Sequence, residues 1–154
     1  MHKLRGPRIA IFIWLCLSSI VGHTQTADDS LVLVGSFTTT FESLSHTDVR
    51  KLFLGIPIFK DNVRLLPVLN SSDPLMTEVF LQKIIFMSKR DYERQLVSRV
   101  FRTGGQRPAA YDNADELVEK LLGTPGSVSF MWATQLEQHE DLKSLGILWA
   151  RPND

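Results

Sequence analysis

The segment LLPVLNSSDPLMTEVFLQKIIF, residues 65–86, predicts a strand, a polar loop and a helix in direct succession. Aliphatic and β-branched residues around a central Pro67 indicate a short strand over residues 63–69. The polar side chains that follow can accept hydrogen bonds from free helix N–H groups, and Pro74 has the backbone angle favoured at the first helical position. We therefore expect a helix that begins at Pro74.

The junction between this strand and this helix allows two interpretations. A helix N-terminus carries unpaired N–H groups and the positive end of the helix dipole, so it can bind an anion. The same side chains can instead cap the helix, as nearly every strand–helix junction requires. The polar residues concerned are Asn70, Ser71, Ser72 and Asp73.

Apolar strands alternate with amphipathic helices on both sides of this segment. We expect further strands at residues 30–36, 127–132 and 145–150, and helices that start near Ser45, Ser88 and Asn113, the last being the final helix. This alternation predicts one α/β domain with three αβα layers and a mixed, largely parallel sheet of four or five strands.

The helix predicted after Ser88 has an apolar stripe at helical spacing, which we expect to face the core. The stripe consists of Tyr92, Leu96, Val97, Val100 and Phe101. Seven basic and two acidic residues lie between positions 83 and 107. They form either the solvated side of this helix or a positive rim near an anion site.

Residues 1–27 have the pattern of a secretory signal, because basic residues precede a 14-residue apolar run at positions 9–22. We expect cleavage after Gly22 or Ala27, with an uncleaved anchor as the alternative. Cleavage would give a periplasmic domain over residues 28–154 without stable membrane insertion. Because Cys16 is removed with the signal, this domain needs no disulfide.

The composition of residues 28–154 argues against several classes of function. Loss of the signal leaves 14 basic and 17 acidic residues, so a nucleic-acid binder is not expected. His46, expected to be exposed in the first turn of its helix, and His139 have no catalytic partner motif. We predict a protein that is not an enzyme, with no catalytic residue, cofactor or metal site.

Four strings, taken in order, resemble one lobe of the periplasmic phosphate-binding proteins of ABC uptake systems. They are SLSHTDVRKLFLG (43–55), PVLNSSDPLMTEVF (67–80), FRTGGQRP (101–108) and LLGTPGSVSFM (121–131). The resemblance covers about residues 31–132 and is nearest to small, single-lobe secreted relatives. It implies a periplasmic-binding-protein-like lobe of type II.

The resemblance also implies where an oxyanion would bind. In phosphate-binding relatives the loop before the equivalent helix carries an Arg, an Asp and a Ser-Gly-Thr triplet. Here Asn70 and Ser72 stand where the Arg and the Asp would be, and residues 74–76 replace the triplet, while Ser71 matches. Asp73 would repel an anion unless it were protonated.

We expect the anion ligands to be Ser71, Ser72 and Thr77, with the Gly35-Ser36 loop opposite them. Both loops follow strands, and open α/β sheets bind their ligands at the carboxyl ends of strands.

The function implied by the resemblance is that of a non-catalytic accessory protein of the envelope that binds phosphate or another small oxyanion. A hinged clamp closes two lobes on its ligand, whereas this chain has length for one. The alternative is therefore an envelope interaction or sensory module that keeps the fold and has lost ligand binding. An envelope protein or a second copy of the chain is the expected partner.

Overall fold

The computed structural model describes residues 30–152, so the predicted signal over residues 1–27 lies outside the described residues. In this part of the chain no helix has the length and apolarity needed to cross a bilayer. The elements in chain order are β1 (Leu31–Ser36), α1 (His46–Phe53), β2 (Phe59–Lys60), β3 (Val63–Arg64), β4 (Leu66–Asn70), α2 (Pro74–Phe80), a π-helical segment (Leu81–Ile85), α3 (Lys89–Thr103), β5 (Ala109–Tyr111), α4 (Ala114–Gly123), β6 (Ser127–Trp132), α5 (Ala133–Leu136) and β7 (Leu142–Trp149).

The central sheet has five strands in the order β5-β4-β6-β1-β7. Strand β4 is parallel to both β5 and β6, whereas β1 is antiparallel to both β6 and β7. Four strands therefore run in one direction and β1 runs in the other. The prediction of a mixed, largely parallel sheet is confirmed.

The predicted helix starts are confirmed by their caps. Ser45, Ser88 and Asn113 each accept hydrogen bonds through their side chains from N–H groups two or three residues further along. Helix α2 begins at Pro74, as expected from the fixed backbone angle of proline. Local side-chain chemistry thus sets these boundaries.

Helices cover both faces of the sheet. Helices α1 and α2 pack on the face that presents Phe130 of β6, where the rings of Phe53, Phe80 and Phe130 meet. Helix α4 packs on the opposite face, where Ser127 Oγ donates to the carbonyl oxygen of Leu121 at 3.1 Å. The three-layer prediction is confirmed.

The segment 63–69, expected to be one strand, is divided in two. Val63 and Arg64 pair with β2 in a small hairpin, and strand β4 of the five-stranded sheet begins at Leu66. Asp61 and Asn62 have φ angles of 48° and 63°, the conformation that a tight hairpin turn requires. Short strand β5 and helix α5 were not predicted, and β7 begins at residue 142 rather than 145.

The predicted core face of α3 is wrong at its C-terminal end. Tyr92 and Leu96 are buried, but Val97 is 40% exposed and Phe101 is 86% exposed. The Tyr92 hydroxyl donates to the Phe53 carbonyl oxygen at 2.8 Å, so the N-terminal half of α3 packs against α1. Helical spacing gives the direction of a side chain but not how far the neighbouring surface extends.

The aromatic cluster gives a stability prediction. Phe130→Ala should lower the free energy of unfolding by about 3–5 kcal/mol, because a fully buried ring stacked at 3.8 Å on Phe80 is lost and leaves a cavity. Urea unfolding measures the difference.

Phe101→Ala is the matched control, since it deletes the same side chain at an exposed position and should change stability by about 0.5 kcal/mol or less. Equal losses in the two variants would contradict the assignment of the cluster as core.

Candidate anion site at the start of helix α2

Asn70 organises the loop between β4 and α2. The residue is 2% exposed, and its Nδ2 donates to the carbonyl oxygen of Phe130 at 3.1 Å. Its Oδ1 accepts from Ser72 twice, from the backbone N at 3.1 Å and from Oγ at 2.6 Å. The buried amide is thus satisfied by the protein itself and joins the loop to β6.

The hydroxyl groups predicted to bind an anion are all committed to acceptors within the protein. Ser71 Oγ donates to the Tyr111 carbonyl oxygen at 2.9 Å, and Ser72 Oγ donates to Asn70. Thr77 Oγ1 lies 3.0 Å from the Asn70 carbonyl oxygen and also contacts the carbonyl oxygen four residues before it. Because each hydroxyl has a single proton, none remains for an anion in this arrangement.

The carboxylate of Asp73 occupies the N-terminus of α2. Its Oδ1 accepts from the backbone N–H groups of Leu75 at 2.8 Å and Met76 at 3.2 Å. Its Oδ2 accepts from the indole Nε1 of Trp132 at 2.8 Å. A negative charge therefore lies at the positive end of the helix dipole.

The pKa of Asp73 reflects these contacts. Partial burial raises the pKa, but hydrogen bonds from the Trp132 side chain and from the backbone N–H groups of Met76 and Leu75 together lower it below its ordinary value of 3.8. The carboxyl group is consequently ionised at neutral pH.

The Gly35-Ser36 loop does not face this site, which corrects the sequence-based expectation. Gly35 pairs with Val128, and Val128 pairs with Pro67 near the amino end of β4. Strand β1 runs antiparallel to β6, whereas β4 runs parallel to β6. The carboxyl end of β1 therefore lies at the opposite end of the strands from Ser71, which follows the carboxyl end of β4. Ser36 Oγ instead forms a hydrogen bond with Thr38 Oγ1 at 3.0 Å.

Two important side chains of the site were not assigned these roles from sequence. Trp132 was predicted only as the end of a strand, and Asn70 only as a polar loop residue that stands where the relatives have an Arg.

A pocket of about 380 Å³ lies beside α2, and its wall includes Ser71 and Thr77. Among residues 30–152, no cluster of His, Cys, Asp and Glu side chains suits a metal ion.

No protein-family model matches the sequence, and no curated protein matches it in a sequence search.

Solved structures, however, share the fold. PstS from Borrelia burgdorferi superposes with a TM-score of 0.53 at 16% identity, covering 82% of this chain and 50% of that one. An ABC-type phosphate transport receptor from Vibrio cholerae gives a TM-score of 0.56 at 12% identity, covering 82% and 49%. A possible phosphate-binding protein from Planctomyces limnophilus gives 0.53 at 15% identity, covering 77% and 41%.

The chain spans about half the length of these structures or less. The resemblance to phosphate-binding proteins expected from the sequence is therefore confirmed at the level of fold. The described residues have the architecture of one lobe of such a protein.

Proposed function

We propose that this chain is a non-catalytic accessory protein of the cell envelope in which the oxyanion position of a phosphate-binding lobe is filled by its own Asp73 carboxylate. Its role is then interaction with a partner rather than capture of phosphate. The observation that carries the proposal is the set of three hydrogen bonds from Leu75, Met76 and Trp132 to that carboxylate.

An incoming oxyanion would meet two obstacles at this position. It would have to displace Asp73 from two backbone N–H groups and from the Trp132 indole. It would also approach an ionised carboxylate, and like charges a few ångströms apart repel each other. The hydroxyl groups of Ser71, Ser72 and Thr77 would have to give up their present acceptors as well.

The proposal includes export and a protein partner. The basic, then apolar pattern of residues 1–27 supports processing to a periplasmic protein. The similar solved structures support the same compartment, since one is named as an ABC-type phosphate transport receptor and another as a possible phosphate-binding protein. An envelope protein or a second copy of the chain would be the partner.

Oxyanion binding is the second candidate function. It is favoured by the names of the similar structures, which identify a phosphate transport receptor and a possible phosphate-binding protein. For this function the Asp73 side chain would rotate away from the N–H groups of α2, and phosphate would accept hydrogen bonds from them instead. The hydroxyl groups of Ser71, Ser72 and Thr77 would turn toward the phosphate.

Removal of the Asp73 carboxylate should weaken the fold in a pH-dependent way. At about pH 7, Asp73→Ala should cost about 0.5–2 kcal/mol, because the start of α2 loses its cap. The pKa of Asp73 is lower in the folded state than its ordinary value of 3.8. The contribution of the carboxylate to the free energy of unfolding is therefore present above that value and is lost as the pH falls through the folded-state pKa. Urea unfolding at several pH values measures both effects.

Glu119→Ala is the matched control, because this exposed acid of α4 is not involved in capping its helix. A cost for Asp73→Ala that stayed constant down to strongly acidic pH would contradict a role for the charge.

Ligand-dependent melting distinguishes the two candidate functions. A ligand at a hundred times its Kd adds about 2.7 kcal/mol to stability, which raises the Tm by several degrees. We expect that any rise in the Tm of the parent with phosphate, sulfate, molybdate or small carboxylates does not depend on Ser71 and Ser72. Asp73→Asn should bind phosphate more tightly than the parent, because the repelling charge is gone.

The double variant Ser71→Ala/Ser72→Ala provides the contrast, with melts in the absence of ligand correcting for lost loop contacts. If the parent were stabilised by several degrees and the double variant bound roughly five- to a hundredfold more weakly, oxyanion binding would replace the proposal.

A further inference from the structure

The chain departs from regular helix immediately after α2. Residues Leu81–Ile85 form a π-helix, and Phe86 then adopts a left-handed conformation with φ 59° and ψ 42°. Single π-helical turns occur frequently at functional sites, and a bulky residue with positive φ is uncommon. Phe86 as a whole residue is 69% exposed, so hydrophobic burial does not account for its position.

Arg50 of α1 ties the π-helical segment to the first helix. Its Nε donates to the carbonyl oxygen of Ile85 at 3.1 Å. The guanidinium carbon lies 5.4 Å from the centre of the Phe86 ring, within the range of a cation–π contact. The ring and the positive charge are therefore displayed side by side.

These groups border a pocket of about 300 Å³ between α1 and the π-helical segment, at the lower end of the range for small-molecule sites. It is lined by His46, Thr47, Arg50, Lys83, Ile84, Phe86 and Leu148. The lining includes two cations and no acidic residue.

Neither cation of the pocket is neutralised within the described residues. The two ion pairs among the described residues join Arg94 to Asp91 and Arg107 to Glu93. These pairs involve both acidic residues of the segment 83–107. The positive charge of this pocket is thus available to an external anion.

His46 completes the wall next to β7. Its Nε2 lies 3.2 Å from the Ile147 carbonyl oxygen and 3.1 Å from that of Leu148. Since both partners are acceptors, this nitrogen carries the proton and donates it. His46 is also the first residue of the eight-residue helix α1, whose first turn carries Asp48 outside the pocket lining. The attraction for an anion therefore comes from Arg50 and Lys83 rather than from the helix dipole.

The geometry points to a binding pocket for a small organic anion, namely a phosphate monoester or carboxylate attached to an aromatic or aliphatic group. Arg50 and Lys83 would contact the anionic group, which guanidinium and ammonium groups recognise. Phe86, Ile84 and Leu148 would contact the apolar group. The pocket is separate from the start of α2, so the inference goes beyond the proposed function and does not depend on it.

Calorimetric titration of the purified protein at low ionic strength tests the inference with three probes. Phenyl phosphate carries both features, inorganic phosphate only the charge, and benzyl alcohol only the ring. We expect phenyl phosphate to bind, inorganic phosphate to bind about tenfold more weakly or worse, and benzyl alcohol to show no binding.

Variants then locate the site. Lys83→Gln, at an exposed position, should weaken phenyl phosphate binding about tenfold or more through loss of a charge-assisted contact. Lys51→Gln is the matched control, because it removes the same charge from an exposed residue of α1 outside the pocket, and should change affinity by about twofold or less.

Phe86→Gly removes the ring at a backbone position that glycine tolerates, and should abolish the preference for phenyl phosphate over inorganic phosphate. Ser71→Ala/Ser72→Ala should leave binding unchanged, which separates this pocket from the α2 site. Absence of phenyl phosphate binding, or equal losses in Lys83→Gln and Lys51→Gln, would overturn the inference.

Discussion

The stacking of Phe80 on Phe130, with ring centroids 3.8 Å apart, fixes α2 against the central strand β6. Phe53 meets both rings edge-on and joins α1 to the same cluster. Because β6 continues from Phe130 to Trp132, this packing also brings the Trp132 indole within 2.8 Å of the Asp73 carboxylate. The packing of the aromatic core thus determines where the polar loop lies relative to Trp132.

The start of α2 shows how a strand–helix junction can hold a negative charge without an external ligand. Backbone N–H groups at a helix start favour a negative charge whether it comes from a ligand or from a side chain. Asp73 supplies that charge from within the chain, and Asn70 and Ser72 complete the hydrogen bonding of the loop. The internal anion stabilises the helix and at the same time repels a competing one.

The two positions on this side of the sheet differ in charge. At α2 the positive end faces the Asp73 carboxylate, whereas the pocket beside α1 is lined by Arg50 and Lys83, and Asp48 in the first turn of α1 lies outside its lining. The positive end of α2 is therefore largely neutralised by Asp73, whereas the positive charge of Arg50 and Lys83 can still attract an anion. The π-helical segment that follows α2 contributes Lys83 to this second position, so one continuous stretch of chain shapes both.

Local chemistry was sufficient to predict the α/β class, the helix start at Pro74 and the caps at Ser45 and Ser88, because each depends on residues a few positions apart. The contact between Asp73 and Trp132 was beyond such reasoning. Trp132 lies 59 residues away in sequence, and only the parallel pairing of β4 with β6 brings it near. The reversed direction of β1, which removes Gly35 from the site, is likewise a property of the assembled sheet, since strand direction follows from long-range pairing and leaves no local signal.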